Sequence, residues 1–95
     1  MHKSEVTKIL RDQKPYLAEQ FHVIKIGIFG SYARNEYTDK SDLDILVEFD
    51  RPVGFEFIRL KDYLETLFEK PVDLVTENAL KPMIKDHIMD EVQYQ

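Results

Sequence analysis

Asp42-Leu43-Asp44-Ile45-Leu46-Val47-Glu48-Phe49 alternates with the two-residue period of a β-strand. Leu43, Ile45, Val47 and Phe49 face one way; Asp42, Asp44, Leu46 and Glu48 face the other. Upstream, Val23-Ile-Lys-Ile-Gly-Ile-Phe29 is rich in β-branched residues and reads as a second strand, ended by Gly30-Ser31 and a short helical turn. The polar loop 35–41 joins the two strands and leaves their relative direction open. Downstream, Pro52-Val53-Gly54 makes a turn. Residues 55–68 then carry Phe57, Leu60, Leu64, Leu67 and Phe68 at helical spacing. Phe55, Phe57 and Phe68 are expected in the core. Residues 71–76 read as a short strand and residues 79–92 as a final helix, with Asn78 as its cap and Leu80, Ile84 and Ile88 on one face. At the front, residues 4–20 place Val6, Ile9, Leu10 and Leu17 on one side of a helix with Ser4 as N-cap, and Pro15 is expected to kink or split it. The order helix, strand, strand, helix, strand, helix predicts an α/β (α+β) fold: a small mixed sheet of three or more strands flanked by helices. The 95 residues are expected to form one domain.

Composition narrows the function. The chain has no cysteine, which excludes disulfide scaffolds, thiolate metal sites and Cys nucleophiles. It has no apolar run of the ~18 residues that a membrane span needs, and its first residues lack the apolar core of a signal peptide. A cytoplasmic protein is expected. The net charge is −5, and residues 30–50 hold six acids against two bases. Such a chain is a poor stand-alone nucleic-acid binder, because duplex affinity rests on neutralising phosphates. It can still hold a polyphosphate through intervening divalent cations.

The candidate chemistry lies in three pieces. Asp42 and Asp44 project from the same face of one strand, roughly ~6.7 Å apart along the chain. Two carboxylates held so repel each other unless a cation lies between them, and hard oxygen ligands suit Mg²⁺. Surface acids at a strand entry are the plainer reading, though Asp is depleted in strands. An EF-hand is excluded, because counting from Asp42 its glycine and bidentate-glutamate positions fall on Val47 and Val53. Gly30-Ser31 directly follows a strand, where glycine allows close backbone approach and Ser31 can offer hydroxyl and amide to a phosphate. Asp73 sits between Val72 and Leu74. It joins the other acids if its strand lies beside residues 42–49, and otherwise it is an edge residue facing solvent. Tyr32 and Tyr37 either stack on a base or pack. The face around Met83, His87 and Tyr94 either binds a partner or covers the sheet. The three histidines show no ligand spacing.

Gly30-Ser31-Tyr32-Ala33-Arg34-Asn35 followed by Ser41-Asp42-Leu43-Asp44-Ile45-Leu46-Val47 resembles the nucleotidyltransferase signature of the DNA polymerase beta superfamily. The match is nearest to the minimal nucleotidyltransferases, the antitoxin halves of HEPN–MNT toxin–antitoxin modules. Lys70-Pro71-Val72-Asp73-Leu74-Val75-Thr76 and Ala79-Leu80-Lys81-Pro82 extend it over most of the chain from Val23 onward. The resemblance implies two Mg²⁺ ions on Asp42 and Asp44, with Asp73 completing the catalytic and metal-binding set. It implies outer phosphates of ATP on Gly30 and Ser31; Arg34 is either a further nucleotide contact or a surface solubiliser. The family commonly has glycine where this chain has Asn35, the residue after glycine most tolerant of positive φ. The implied activity is Mg-dependent transfer of AMP from ATP to a hydroxyl, a tyrosine of a partner HEPN toxin. No acceptor domain is expected beside the nucleotidyltransferase core, and the acceptor is then expected to bring its own surface. The alternatives are an antitoxin that neutralises its toxin by direct binding without catalysis, and a regulatory nucleotide binder.

Overall fold

A computed structural model describes all 95 residues. Helix α1 (Lys3–Phe21) is followed by β1 (Val23–Phe29), the short α2 (Gly30–Ala33), β2 (Leu43–Phe49), α3 (Phe55–Phe68) and β3 (Val72–Thr76). A 3₁₀ turn (Glu77–Ala79) leads to α4 (Pro82–Glu91) and the two-residue strand β4 (Gln93–Tyr94). The four strands form one mixed sheet in the order β3-β2-β1-β4. Strands β1 and β2 are antiparallel, which resolves the direction that loop 35–41 left open. Strands β2 and β3 are parallel and joined through α3, in the usual manner of a β-α-β crossover.

The alternation in β2 sorts the two faces of the sheet. Leu43, Ile45 and Val47 are buried with Ile26 and Ile28 of β1 and Val72 and Leu74 of β3, beneath Val6, Leu10 and Leu17 of α1 and Leu60, Leu64 and Phe68 of α3. The opposite face is only half covered. There Phe29, Leu46 and Ile88 form a small second cluster under α4, with Val75, Leu80 and Met89 against it. Asp44 and Asp73 share this thinly covered face by strand parity. No helix is long and apolar enough to cross a membrane.

Four expectations need correction. Helix α1 runs unbroken through Pro15. An interior proline costs about 3 kcal/mol, but Val6 and Leu10 before it and Leu17 and Phe21 after it are buried on one continuous face, and that burial offsets the cost. Its N-cap is His2 rather than Ser4, and the His2 amide donates to the Glu5 carboxylate at 3.1 Å. The last helix starts at Pro82, with Lys81 as cap, because the preceding residues close a 3₁₀ turn; Ile84 stays half exposed. Phe55 is 83% exposed, since it opens α3 on the side away from the Leu60–Leu64–Phe68 stripe.

Candidate active site

Three segments converge at one end of the sheet. Register pairs Asp44 with Asp73 across the parallel β2–β3 ladder, and pairs Asp44 with Phe29 across the antiparallel β1–β2 ladder. Gly30 follows Phe29, so the turn into α2 is delivered beside the Asp44 carboxylate. Asp42 lies just before β2, exposed, and Asp73 is exposed on the outer strand, while Asp44 is partly buried. A cleft of ≈ 460 Å³ is lined by Asp42, Asp44 and Asp73 together with Phe57, Lys61 and Glu65 of α3. That volume falls in the range of small-molecule sites. A second cleft of ≈ 480 Å³ opens along residues 47–53 and 76–78, at the opposite ends of β2 and β3.

The electrostatics of Asp44 set it apart. Burial, then the like charges of Asp73 and Asp42, push its carboxyl up to about 6 from an ordinary 3.8. The Arg34 charge opposes this rise, and a hydrogen bond with the Asp73 side chain adds to it. A divalent cation would relieve this crowding, and an all-carboxylate donor set suits a hard ion such as Mg²⁺. As the side chains stand, no three of the His, Cys, Asp or Glu residues are gathered into a group that could hold a metal ion.

The Gly30–Ser31 turn is shaped by backbone constraints. Gly30 has φ +70, and a Cβ built there would overlap the Asp44 carboxylate. Only glycine meets both conditions without strain. Asn35 stands at φ 60, so it takes the left-handed conformation that its residue type tolerates best after glycine. Tyr32 and Tyr37 are committed to packing: their rings stack at 4.2 Å and 4°, and Tyr32 is 1% exposed. Lys70 donates to the Tyr32 hydroxyl at 2.7 Å, and the Lys3 amide donates to the Tyr37 hydroxyl at 3.0 Å. These bonds tie α2 to the connection between α3 and β3, and the loop after α2 to α1.

Arg34 is engaged by acids. Its Nε donates to Glu36 at 2.8 Å, and its Nη1 donates to both oxygens of Glu91, at 3.2 and 3.0 Å. The Gly30 amide also donates to Glu91, at 2.9 Å. Partial burial pushes the Glu91 carboxyl upward, but the Gly30 amide and the Arg34 guanidinium outweigh it and hold the group below the ordinary range. Glu91 carried no sequence signal, because it reaches Gly30 from 61 residues away and stands beside no motif. Its only local clue is its position before a β-prone terminal segment, Val92-Gln93-Tyr94.

Residues 6–95 match the family model described as a nucleotidyltransferase domain. The protein adenylyltransferase MntA of Thermococcus cleftensis is 45% identical over 91 residues, which cover 95% of this chain and 92% of that one. A solved structure of a candidate minimal nucleotidyltransferase superposes with a TM-score of 0.81 at 32% identity, covering 98% of this chain and 95% of that chain. The fold is also that of a chain in the complex of a tri-AMPylated HEPN toxin with its MNT antitoxin from Shewanella oneidensis. That match has a TM-score of 0.59 at 22% identity, over 97% of this chain and 66% of the other.

Proposed function

The chain belongs to the nucleotidyltransferase domain family, and we propose that it transfers AMP from ATP to a tyrosine hydroxyl of a partner HEPN-type toxin, which it thereby silences as an antitoxin. The observation that carries this reading is the pairing of Asp44 with Asp73 on adjacent parallel strands, with Asp42 two residues upstream and the Gly30–Ser31 turn alongside. Like-charged carboxylates crowded on one thinly covered face cost stability, and a protein acting by contact alone has no use for them.

In this reading the Gly30–Ser31 turn receives the outer phosphates, Gly30 by letting the backbone approach them closely and Ser31 by its donors, and orients the α-phosphorus toward the carboxylates. The acceptor oxygen attacks that phosphorus, the α–β anhydride bond breaks, and pyrophosphate leaves. Asp73, exposed on the outer strand, is open to an incoming protein side chain, and it takes the hydroxyl proton. Asp42, Asp44 and Asp73 are the residues that would hold Mg²⁺, which when bound supplies charge neutralisation for the phosphates and acidifies the acceptor hydroxyl. Arg34 is free to meet a phosphate only if it leaves one of its two carboxylate partners.

The test is intact-mass spectrometry of the chain incubated with ATP, Mg²⁺ and a HEPN-type toxin encoded beside it, with Asp44→Asn as control. An AMP increment on the toxin that needs Mg²⁺ and vanishes in the variant is the expected result. A tight complex with no increment would replace this reading with neutralisation by contact.

A further inference from the structure

Glu91 is an acid that the chemistry above leaves unused, yet it is held at the centre of the turn that the chemistry needs. Its side chain is 16% exposed. The Gly30 amide opens α2 and so has no acceptor within its own helix; Glu91 supplies one at 2.9 Å. At the other end of the same short helix, the Gln93 side-chain amide donates to the Ala33 carbonyl at 3.2 Å. The segment bearing both residues is itself fastened to the sheet. Gln93 and Tyr94 pair with Ile28 and Gly27, and the Gln95 amide donates to the Ile26 carbonyl at 2.9 Å. A Cβ at Gly27 would stand only 2.8 Å from the Gln93 carbonyl, so the two strands close on each other tightly there.

The turn is therefore clamped from the C-terminal side at its first amide and its last carbonyl. With the Gly30 amide taken, the amide and hydroxyl of Ser31 are the donors left to a ligand. We infer that Glu91 is a positioning residue for nucleotide binding: it fixes Gly30 so that Ser31 presents its amide and hydroxyl to the phosphates. The inference rests on the reading of Gly30–Ser31 as the phosphate turn. It makes the α4–β4 segment part of the nucleotide site without contact to the reacting atoms.

The opposite role is also testable, because a carboxylate on the Gly30 amide and on Arg34 could instead compete with phosphate for the same donors. The experiment is calorimetric titration of the full chain with ATP and Mg²⁺, well below the melting temperature of each variant, together with the ¹⁵N-resolved amide resonance of Gly30. E91A should weaken ATP binding about tenfold or more, as the loss of a partly buried hydrogen bond to a charged group does, and should shift the Gly30 amide resonance. E91Q keeps an oxygen acceptor for that amide and should rescue most of the affinity. E91D retracts the carboxylate and should behave like E91A, which preserves the test if E91A does not fold. Wild-type affinity in E91A and E91D would overturn the inference and leave Glu91 a purely structural tie; tighter binding would overturn it in favour of competition. Wild-type protein that binds no ATP would overturn the proposed function, and this inference with it.

Discussion

Replacing Asp44 by asparagine should stabilise the fold while it abolishes nucleotidyl transfer. Burial and the charges of Asp73 and Asp42 raise this carboxyl to about 6 against an ordinary 3.8. At about 1.4 kcal/mol per unit, the full shift corresponds to about 3 kcal/mol. The side chain is only partly buried, and solvent screening reduces that to about 1.5 kcal/mol. The sign follows from linkage. Between about pH 4 and about pH 6 the folded chain holds the Asp44 proton more tightly than the unfolded chain does, so stability falls as pH rises through that window and stays low above it. An asparagine carries no charge to strain the fold, and its amide can still donate to Asp73. In EDTA at about pH 8, thermal unfolding followed by far-UV circular dichroism should place the variant about 6–12 °C above wild type. At about pH 4 the two curves should coincide. A variant that melts at or below wild type at about pH 8, or a gap that persists in acid, would refute the claim that Asp44 is held under charge strain.

Asp73→Asn should leave the fold at least as stable, by no more than about 1 kcal/mol, because the side chain is exposed and losing its charge relieves Asp44, yet lower the AMP-transfer rate by about 100-fold or more; urea titration and single-turnover kinetics check the two halves. Gly30→Ala should cost about 2–4 kcal/mol in urea unfolding, from the positive φ and the overlap with Asp44, and native-like stability would refute the geometry of the turn. Asn35→Ala should cost about 1 kcal/mol while Asn35→Gly stays within about 0.5 kcal/mol of wild type. Leu64→Ala, at a fully buried position between α3 and the sheet, should cost about 2–5 kcal/mol without altering the transfer rate below its melting temperature.

Much of this architecture is legible because it is written in local periodicity. The alternation of residues 42–49 sorts the faces of β2 correctly, and the Leu60–Leu64–Phe68 stripe places α3. The spacing of Asp42 and Asp44 puts both on one face, and Asp73 joins them because β3 is the parallel neighbour of β2. What local pattern does not carry is whatever depends on distant partners. Pro15 reads as a break, but burial on either side of it keeps α1 whole. Phe55 reads as core, but its place at the first turn of α3 turns it outward. The stacking of Tyr32 on Tyr37 and the grip of Glu91 on Gly30 are long-range events of side-chain packing, and β4 exists only because β1 offers it an edge.

Strand β3 lies at the rim of the sheet, so the outer row of its peptide groups has no strand to pair with, and only the Val72 amide on β3 is met by a side chain, the Glu65 carboxylate at 3.0 Å. Such a rim is a template on which another chain can crystallise into an aggregate, and proteins blunt it with short length, proline and charge. Here the strand has five residues, Pro71 stands before it, and Asp73 is the one charge within an otherwise apolar Val72–Val75 run. The same carboxylate therefore guards the colloidal behaviour of the protein. A lineage that gave up catalysis would still be under pressure to keep a charged or polar residue at this position, and an apolar replacement such as Asp73→Val would cost solubility as well as turnover.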